Sequence, residues 1–429
     1  MHANLSIIIV PLISGLALFL MPWLKTMLKG WITVLVSLFL MAGSFQLFFN
    51  TPDAWQVQIP SGYPLWVQGL STYLAFYITD TTGILMLFPG IMLPLLALVT
   101  LIPQKESPSD KNFHAWFLLS AGLCFAILSA GHLYLLVFLW GVLLIPLFML
   151  INGYDEGRAS AGKKTMVILG GTHGLMATGA VMAVALSGTG YMESMALDTS
   201  TALPKVAFFA LLCSALAANG VFPFQSWITT FAAFAPGRVT ALMAVIIQRT
   251  AGVYLLIRLS HDLFILNETT RTILLALGFF SALLAMVMSF AENHPGKKLA
   301  HFHSIAGGLI VMAIATGSPA GITAALVFVL ISEGGVAAMF LLLKDQDTQK
   351  ITPVFTKTRE EKSEIQSNKL TRFLTIVQRI EKSGYTDIYH VVSQLVFSVN
   401  RPLSRMHDGI LQTYLVWVVA ALIILFLLN

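Results

Sequence analysis

Apolar residues occur along this chain in long runs that are separated by short polar stretches. Many runs have about 20 residues, the helix length that crosses a hydrocarbon core of about 30 Å. The pattern predicts an all-α polytopic membrane protein with about twelve transmembrane helices, one of them discontinuous. The predicted spans are residues 5–22, 30–49, 81–102, 113–130, 132–152, 164–187, 204–228, 238–258, 271–290, 298–316, 319–343 and 411–428.

The composition agrees with this class, because 57% of the residues are hydrophobic and only 10% are charged. Basic residues lie mainly near span ends, so the net charge of +5 reflects membrane topology and indicates no nucleic-acid partner. Loops after odd-numbered spans carry ten Lys or Arg residues, whereas loops after even-numbered spans carry three. Since basic loops stay in the cytoplasm, both termini are predicted to face outside across a bacterial-type inner (plasma) membrane.

Four regions follow from the pattern. Residues 1–344 form a transmembrane bundle of eleven spans, and residues 345–368 form a polar cytoplasmic linker. Residues 369–408 have apolar positions at helical spacing with interspersed basic residues, which predicts an amphipathic helix at the membrane surface. Residues 409–429 form the final span. The amphipathic helix has two possible roles, binding to anionic lipid or bracing a neighbouring subunit.

The stretch 216–258 predicts two helices joined by a broken connection that contains Pro223 and Trp227. Arg249 lies well inside the second helix. A broken helix followed by a buried cation is typical of an ion or substrate path in a membrane. Arginine keeps its charge and cannot readily pass a proton on. Arg249 therefore either holds an anion or fixes the pKa of a nearby acid on such a path, or it has a structural role as an ion pair or a clamp on backbone carbonyls.

Other polar residues inside predicted spans are candidates for the same path, because ionisable groups at membrane depth are costly. Glu333 lies beside two glycines, and His301 and His303 lie near the start of one helix on different faces. His173 lies among small residues and fits either a packing role or a proton path. The candidates for an ion path are Arg249, Glu333, His301, His303, His173, Asn219 and Gln248.

Enzyme motifs are missing from the sequence. It contains no phosphate-binding loop, dinucleotide fingerprint, iron–sulfur cysteine pattern or nucleophile elbow. Cys124 and Cys213 both fall inside apolar spans, where they indicate neither a disulfide nor a metal site. We therefore expect no cofactor and no metal, and no catalysis by this chain alone. Redox chemistry coupled to it would belong to another subunit.

Several stretches together resemble the antiporter-like membrane subunits of respiratory complex I, membrane-bound hydrogenases and Mrp cation/proton antiporters. They are LSAGHLYLLVFLWGVLLIPLFMLI (128–151), VFPFQSWITTFAAFAPGRVTALMA (221–244), TAGVYLLIR (250–258), GKKLAHFHSIAGG (296–308) and the closing stretch 400–428. The resemblance implies an integral subunit of a hetero-oligomeric proton- or cation-translocating complex related to NADH:quinone oxidoreductase. Its partners would be other integral membrane subunits and the lipid bilayer.

The sequence departs from this family where the family carries its proton-exchanging residues. Gly141 stands in the place of the glutamate, Ala218 in that of the broken-helix lysine, and Thr250 at the next Lys or His site. In the eleventh span, Ser332 and Val336 occupy the family's His and Lys positions. The second inverted repeat is also shortened.

Three interpretations therefore remain open. The subunit conducts ions by a modified route that uses Arg249, Glu333 and a histidine, or it is a non-pumping structural paralogue that scaffolds such a complex. The third is a membrane partner in an ion-driven inorganic-carbon uptake system.

Overall fold

The computed structural model describes residues 3–49, 54–56, 72–102, 112–152, 156–342 and 387–394, with the single positions Ile376, Arg379 and Ser398. Within these residues, eight helices are long and apolar enough to cross a membrane, and three further apolar helices are shorter. This architecture confirms the prediction of an all-α polytopic membrane protein. The predicted twelfth span and the polar linker lie outside the described residues, so the count of twelve stays a prediction.

In the first half of the bundle, the described residues form six long helices. They are α1 (Ala3–Leu20), α2 (Thr26–Phe49), α3 (Asp80–Val99), α4 (Phe113–Leu128), α5 (Leu133–Ile151) and α6 (Glu156–Ser187). Helix α1 packs on α4, and α2 packs on α3. Strand β1 (Ala54–Gln56) pairs with the antiparallel strand β2 (Ala75–Tyr77) just before α3 begins. Thr79 caps α3, since its hydroxyl accepts a hydrogen bond from the amide of Thr82 at 3.2 Å.

The second half is arranged around one fully buried helix. Its elements are β3 (Leu197–Asp198), α7 (Ala202–Ala218), α8 (Ser226–Phe234), α9 (Gly237–Leu263), β4 (Phe264–Ile265), α10 (Glu268–Ala291), α11 (Pro295–Ala315) and α12 (Pro319–Leu342). Strand β3 runs parallel to β4. Helix α9 is apolar on nearly every side and is buried along its length, as expected for a helix surrounded by others.

Two of these helices contain π-helical segments, which are wider than an α-helix and recur at functional sites. In α9 the segment Ala241–Gln248 ends immediately before Arg249. In α12 the segment Val329–Glu333 ends on Glu333 itself. Both ionisable residues therefore lie where the regular helical hydrogen bonding changes.

Part of the predicted amphipathic region contacts the bundle. The carboxylate of Asp387 forms an ion pair with Lys164 near the start of α6, and the Lys164 ammonium lies 5.9 Å from the ring centroid of Tyr389. The Asp387 carboxylate also accepts a hydrogen bond from the Tyr389 amide at 3.0 Å, which starts the helical turn. Residues 387–394 thus rest on one end of α6.

Candidate functional site

The structure contains the predicted helix interruption, which begins at Asn219. Helix α7 stops after Ala218, and Gly220 adopts a left-handed conformation with φ +60°. The indole of Trp227 donates a hydrogen bond to the Ala217 carbonyl at 2.7 Å, and the Phe222 amide donates to the Ser281 hydroxyl at 3.0 Å. These bonds satisfy backbone groups that a helix end leaves unpaired inside a membrane. Pro223 follows Phe222 through a cis peptide bond.

Arg249 lies close to the midpoint of α9 and is completely buried. One guanidinium nitrogen, Nη1, donates to the backbone oxygen of Asn219 at 2.9 Å and to its side-chain oxygen Oδ1 at 3.0 Å. The other, Nη2, donates to the backbone oxygen of His303. The arginine side chain therefore joins the end of α7 to α11.

Glu333 supplies the counter-charge. Its Oε1 lies 2.9 Å from Arg249 Nη2, and its Oε2 lies 2.7 Å from Nδ1 of His303. All three side chains are completely buried. A buried charge is tolerated when it is paired and hydrogen-bonded. Here both charges are paired and each makes hydrogen bonds, with residues from four elements, while Arg249 Nε and Glu333 Oε1 make none to any described residue. We call Asn219, Arg249, His303 and Glu333 the buried charge cluster.

The two ring nitrogens of His303 have different surroundings in this cluster. A carboxylate accepts hydrogen bonds and cannot donate them, so the contact with Glu333 assigns the proton of a neutral His303 to Nδ1. Its Nε2 is buried and has no hydrogen-bond partner within the described part of the chain. His303 can therefore take up a proton at Nε2 while Nδ1–H stays on Glu333, whereas Arg249 keeps its proton throughout.

The remaining candidates do not join this cluster. Both ring nitrogens of His301, both amide atoms of Gln248 and Nδ1 of His173 are buried without a hydrogen bond to any described residue. The ring of His173 faces α5, where a Cβ on Gly141 would lie 2.8 Å from its Nε2. These unpaired polar atoms are places where water would be stabilised at membrane depth.

One residue of the site was missed by the sequence interpretation. A Cβ on Gly307 would lie 2.6 Å from Arg249 Nη1 and 2.6 Å from the Asn219 backbone oxygen. Only glycine lets α11 approach the guanidinium this closely. The pair Gly307–Gly308 in an apolar helix was the available signal, but it does not say which neighbour comes close.

The positions where the sequence departs from the antiporter-like pattern hold no ionisable side chain in the fold. Ala218 is completely buried, and the hydroxyls of Thr250 and Ser332 donate to the carbonyls of Ile246 and Phe328 in their own helices. Among the described residues, no group of three or more His, Cys, Asp or Glu side chains could hold a metal ion.

Comparison with known proteins gives a family match. Residues 130–356, more than half of the chain, match the family model "NADH:quinone oxidoreductase/Mrp antiporter, TM". The chain is 25% identical over 359 residues to NAD(P)H-quinone oxidoreductase chain 4 1 of Synechococcus elongatus, an alignment that covers 79% of this chain and 64% of that protein. It is also 25% identical over 363 residues to NADH-quinone oxidoreductase subunit M of Pseudomonas aeruginosa, covering 78% and 70% of the two chains.

Solved structures share the fold at lower sequence identity. A chain of respiratory complex I from Thermus thermophilus superimposes with a TM-score of 0.66 at 20% identity, covering 79% of this chain and 70% of its own length. A chain of the Mrp complex from Dietzia sp. gives a TM-score of 0.67 at 18% identity, covering 79% of this chain and 37% of its own. The chain thus spans only part of the proteins that it resembles.

Proposed function

Since the chain belongs to the NADH:quinone oxidoreductase/Mrp antiporter family, we propose that it is an antiporter-like integral subunit of a proton- or cation-translocating membrane complex. The matched curated relatives are subunits of quinone oxidoreductases, and the matched structures come from multi-subunit membrane complexes. The subunit carries no redox centre motif of its own, so electron transfer belongs to partner subunits.

The buried charge cluster is the observation that carries a role in proton movement. Among its members, His303 and Glu333 are the two groups that can exchange a proton, because the guanidinium of Arg249 stays charged. A proton that arrives at His303 Nε2 creates an imidazolium, which the Glu333 carboxylate 2.7 Å from Nδ1 stabilises. Loss of either ring proton returns the neutral state. His303 is thus our proposed proton carrier and Glu333 its counter-ion. Arg249 holds Glu333 in place, and Asn219 positions the guanidinium of Arg249.

The route to this pair would run through the unpaired buried groups. His301 lies two residues before His303 in α11, and Gln248 directly precedes Arg249 in α9. Water bound to their free nitrogens and oxygens would carry the proton between the cluster and one membrane surface. His173 lies beside Gly141 of α5 and is a candidate for a separate segment of the route.

A structural role is the second candidate, and one observation favours it. Arg249 contacts the end of α7, α11 and α12 at once, which is the arrangement of a clamp across a broken helix. In that case the chain scaffolds its complex without moving protons, and the charge state of His303 has no consequence.

One experiment on membranes that contain the assembled complex distinguishes the proton-carrier role from the structural role. We expect His303→Gln to abolish ΔpH formation in inverted vesicles while electron-transfer activity and assembly, judged on native gels, remain. Arg249→Lys, which keeps a charge but loses the forked contacts, should impair both proton movement and assembly. Normal ΔpH formation by His303→Gln, with Arg249→Lys failing to assemble, would overturn the proton-carrier role and leave the clamp.

We further propose that the chain lies in a bacterial inner membrane with both termini outside. The excess of Lys and Arg in alternate loops supports this orientation. Alkaline phosphatase fused after residue 190, in a loop that is proposed to face outside, should be active, whereas a fusion after residue 293 should be inactive. The reverse pattern would invert the topology.

A further inference from the structure

A groove between α6 and α7 opens to the outside of the bundle, and its lining contains no residue of the buried charge cluster. It has a volume of about 620 Å³ and is lined by Leu175 of α6, by Ser200 and Ala202 at the start of α7, and by Lys205, Val206, Phe209, Ala210 and Cys213. Leu175 and Val206 are 46% and 54% exposed, so the groove faces the space that lipid occupies around a membrane protein.

The polar and apolar groups of this groove are segregated. Lys205 and Ser200 lie at the end where α7 begins, and the rest of the lining is apolar. From Lys205 to Cys213 the lining on α7 rises by about 12 Å at 1.5 Å per residue. A ligand that fills this groove therefore has one polar end and an apolar body about two helical turns long.

The charge at the polar end selects an anion. Lys205 has no ion-pair partner within the described residues. Thr201, which caps α7, makes no side-chain hydrogen bond to the first turn, so the partial positive charge of that helix end adds to the lysine. The carboxylate of Asp198 lies near this end; it is exposed and accepts hydrogen bonds from the amide and the hydroxyl of Ser200 at 2.8 and 2.7 Å.

From this charge and shape, we propose that the groove is a binding site for one anionic phospholipid, with its phosphate at Lys205 and an acyl chain along Phe209, Ala210 and Cys213. A neutral phospholipid would leave the lysine without a full counter-charge. The site is independent of the proton path proposed above.

Native mass spectrometry of the full, delipidated chain with added phosphatidylglycerol or phosphatidylcholine tests this site. We expect one phosphatidylglycerol to be retained about fivefold more strongly than phosphatidylcholine, the preference that one lysine near a membrane surface provides. Lys205→Ala should remove that preference. Lys163→Ala, which deletes an exposed lysine of α6 outside the groove, is the matched control and should preserve it.

A second variant tests the acyl-chain part of the site. Ala210→Trp fills the groove without changing its charge and should weaken retention of both lipids, with helical content by circular dichroism confirming the fold. Equal retention of the two lipids by the wild type, an equal effect of Lys163→Ala and Lys205→Ala, or unchanged retention in Ala210→Trp would each overturn the proposal.

Discussion

Replacing Glu333 by glutamine removes the counter-charge of Arg249 and keeps the size of the side chain. The guanidinium then remains buried with its hydrogen bonds to Asn219 and to the His303 carbonyl, but without an opposite charge at 2.9 Å. Breaking a buried ion pair by removing one partner costs about 3–5 kcal/mol, so we expect the free energy of unfolding to fall by about that amount.

Two further variants are compared with Glu333→Gln: Arg249→Met, and the double variant that carries both substitutions. Arg249→Met leaves the Asn219 and His303 carbonyls without a donor, and each unpaired group costs about 1–3 kcal/mol. The double variant contains neither charge, so its loss should be smaller than the sum of the two single losses by about 2–3 kcal/mol, the upper part of the range for coupled neighbours.

Unfolding of the purified chain in mixed micelles with a denaturing detergent, followed by circular dichroism, measures all three variants. Lys297→Ala is the control, because Lys297 pairs with Glu292 of the neighbouring segment at 3.9 Å and is 38% exposed. Exposed pairs contribute about 0–1 kcal/mol. If Glu333→Gln costs no more than Lys297→Ala, or if the two cluster variants are additive, the buried ion pair does not hold the helices together as we argue.

Three further predictions concern single positions around the site. Gly307→Ala should lower the free energy of unfolding by about 1–3 kcal/mol, because the new methyl group overlaps the Arg249 guanidinium, whereas Gly335→Ala, where a Cβ meets nothing within 4 Å, should not destabilise the chain. Trp227→Phe deletes the indole donor that holds the broken helix and should cost about 1–3 kcal/mol in the same assay; a neutral effect would mean that the carbonyl finds another donor. Burial lowers the pKa of His294, which caps α11, from its ordinary value of about 6.5, and the nearby Lys297 adds to this effect. The folded state therefore binds fewer protons at His294 than the unfolded chain does. The contribution of His294 to stability is present above about pH 6.5 and is lost as the pH falls towards the folded pKa. Melting temperatures measured between about pH 5 and 7.5 should fall on acidification in the wild type and fall less in His294→Asn, and equal slopes would refute this.

The sequence by itself determined the class of the protein and the position of the interrupted helix. Runs of about 20 apolar residues fix membrane helices because backbone polar groups must pair within the segment at membrane depth. The stretch around Pro223 predicted an interrupted helix, and the structure ends α7 at Ala218 and begins α8 at Ser226. It also identified Arg249, Glu333, His303 and Asn219 as polar residues that a membrane protein would not bury without a reason.

Only the tertiary structure decided which of these residues act together. Asn219, Arg249, His303 and Glu333 come from four separate elements, and helical periodicity carries no information about the pairing of elements 30 or more residues apart. The same limit hid the role of Gly307, whose missing side chain matters only because a guanidinium lies beside it. His301 and Gln248 looked equivalent to the cluster residues in sequence, yet neither forms a hydrogen bond with the cluster, since a step of one or two residues along a helix turns a side chain to another face.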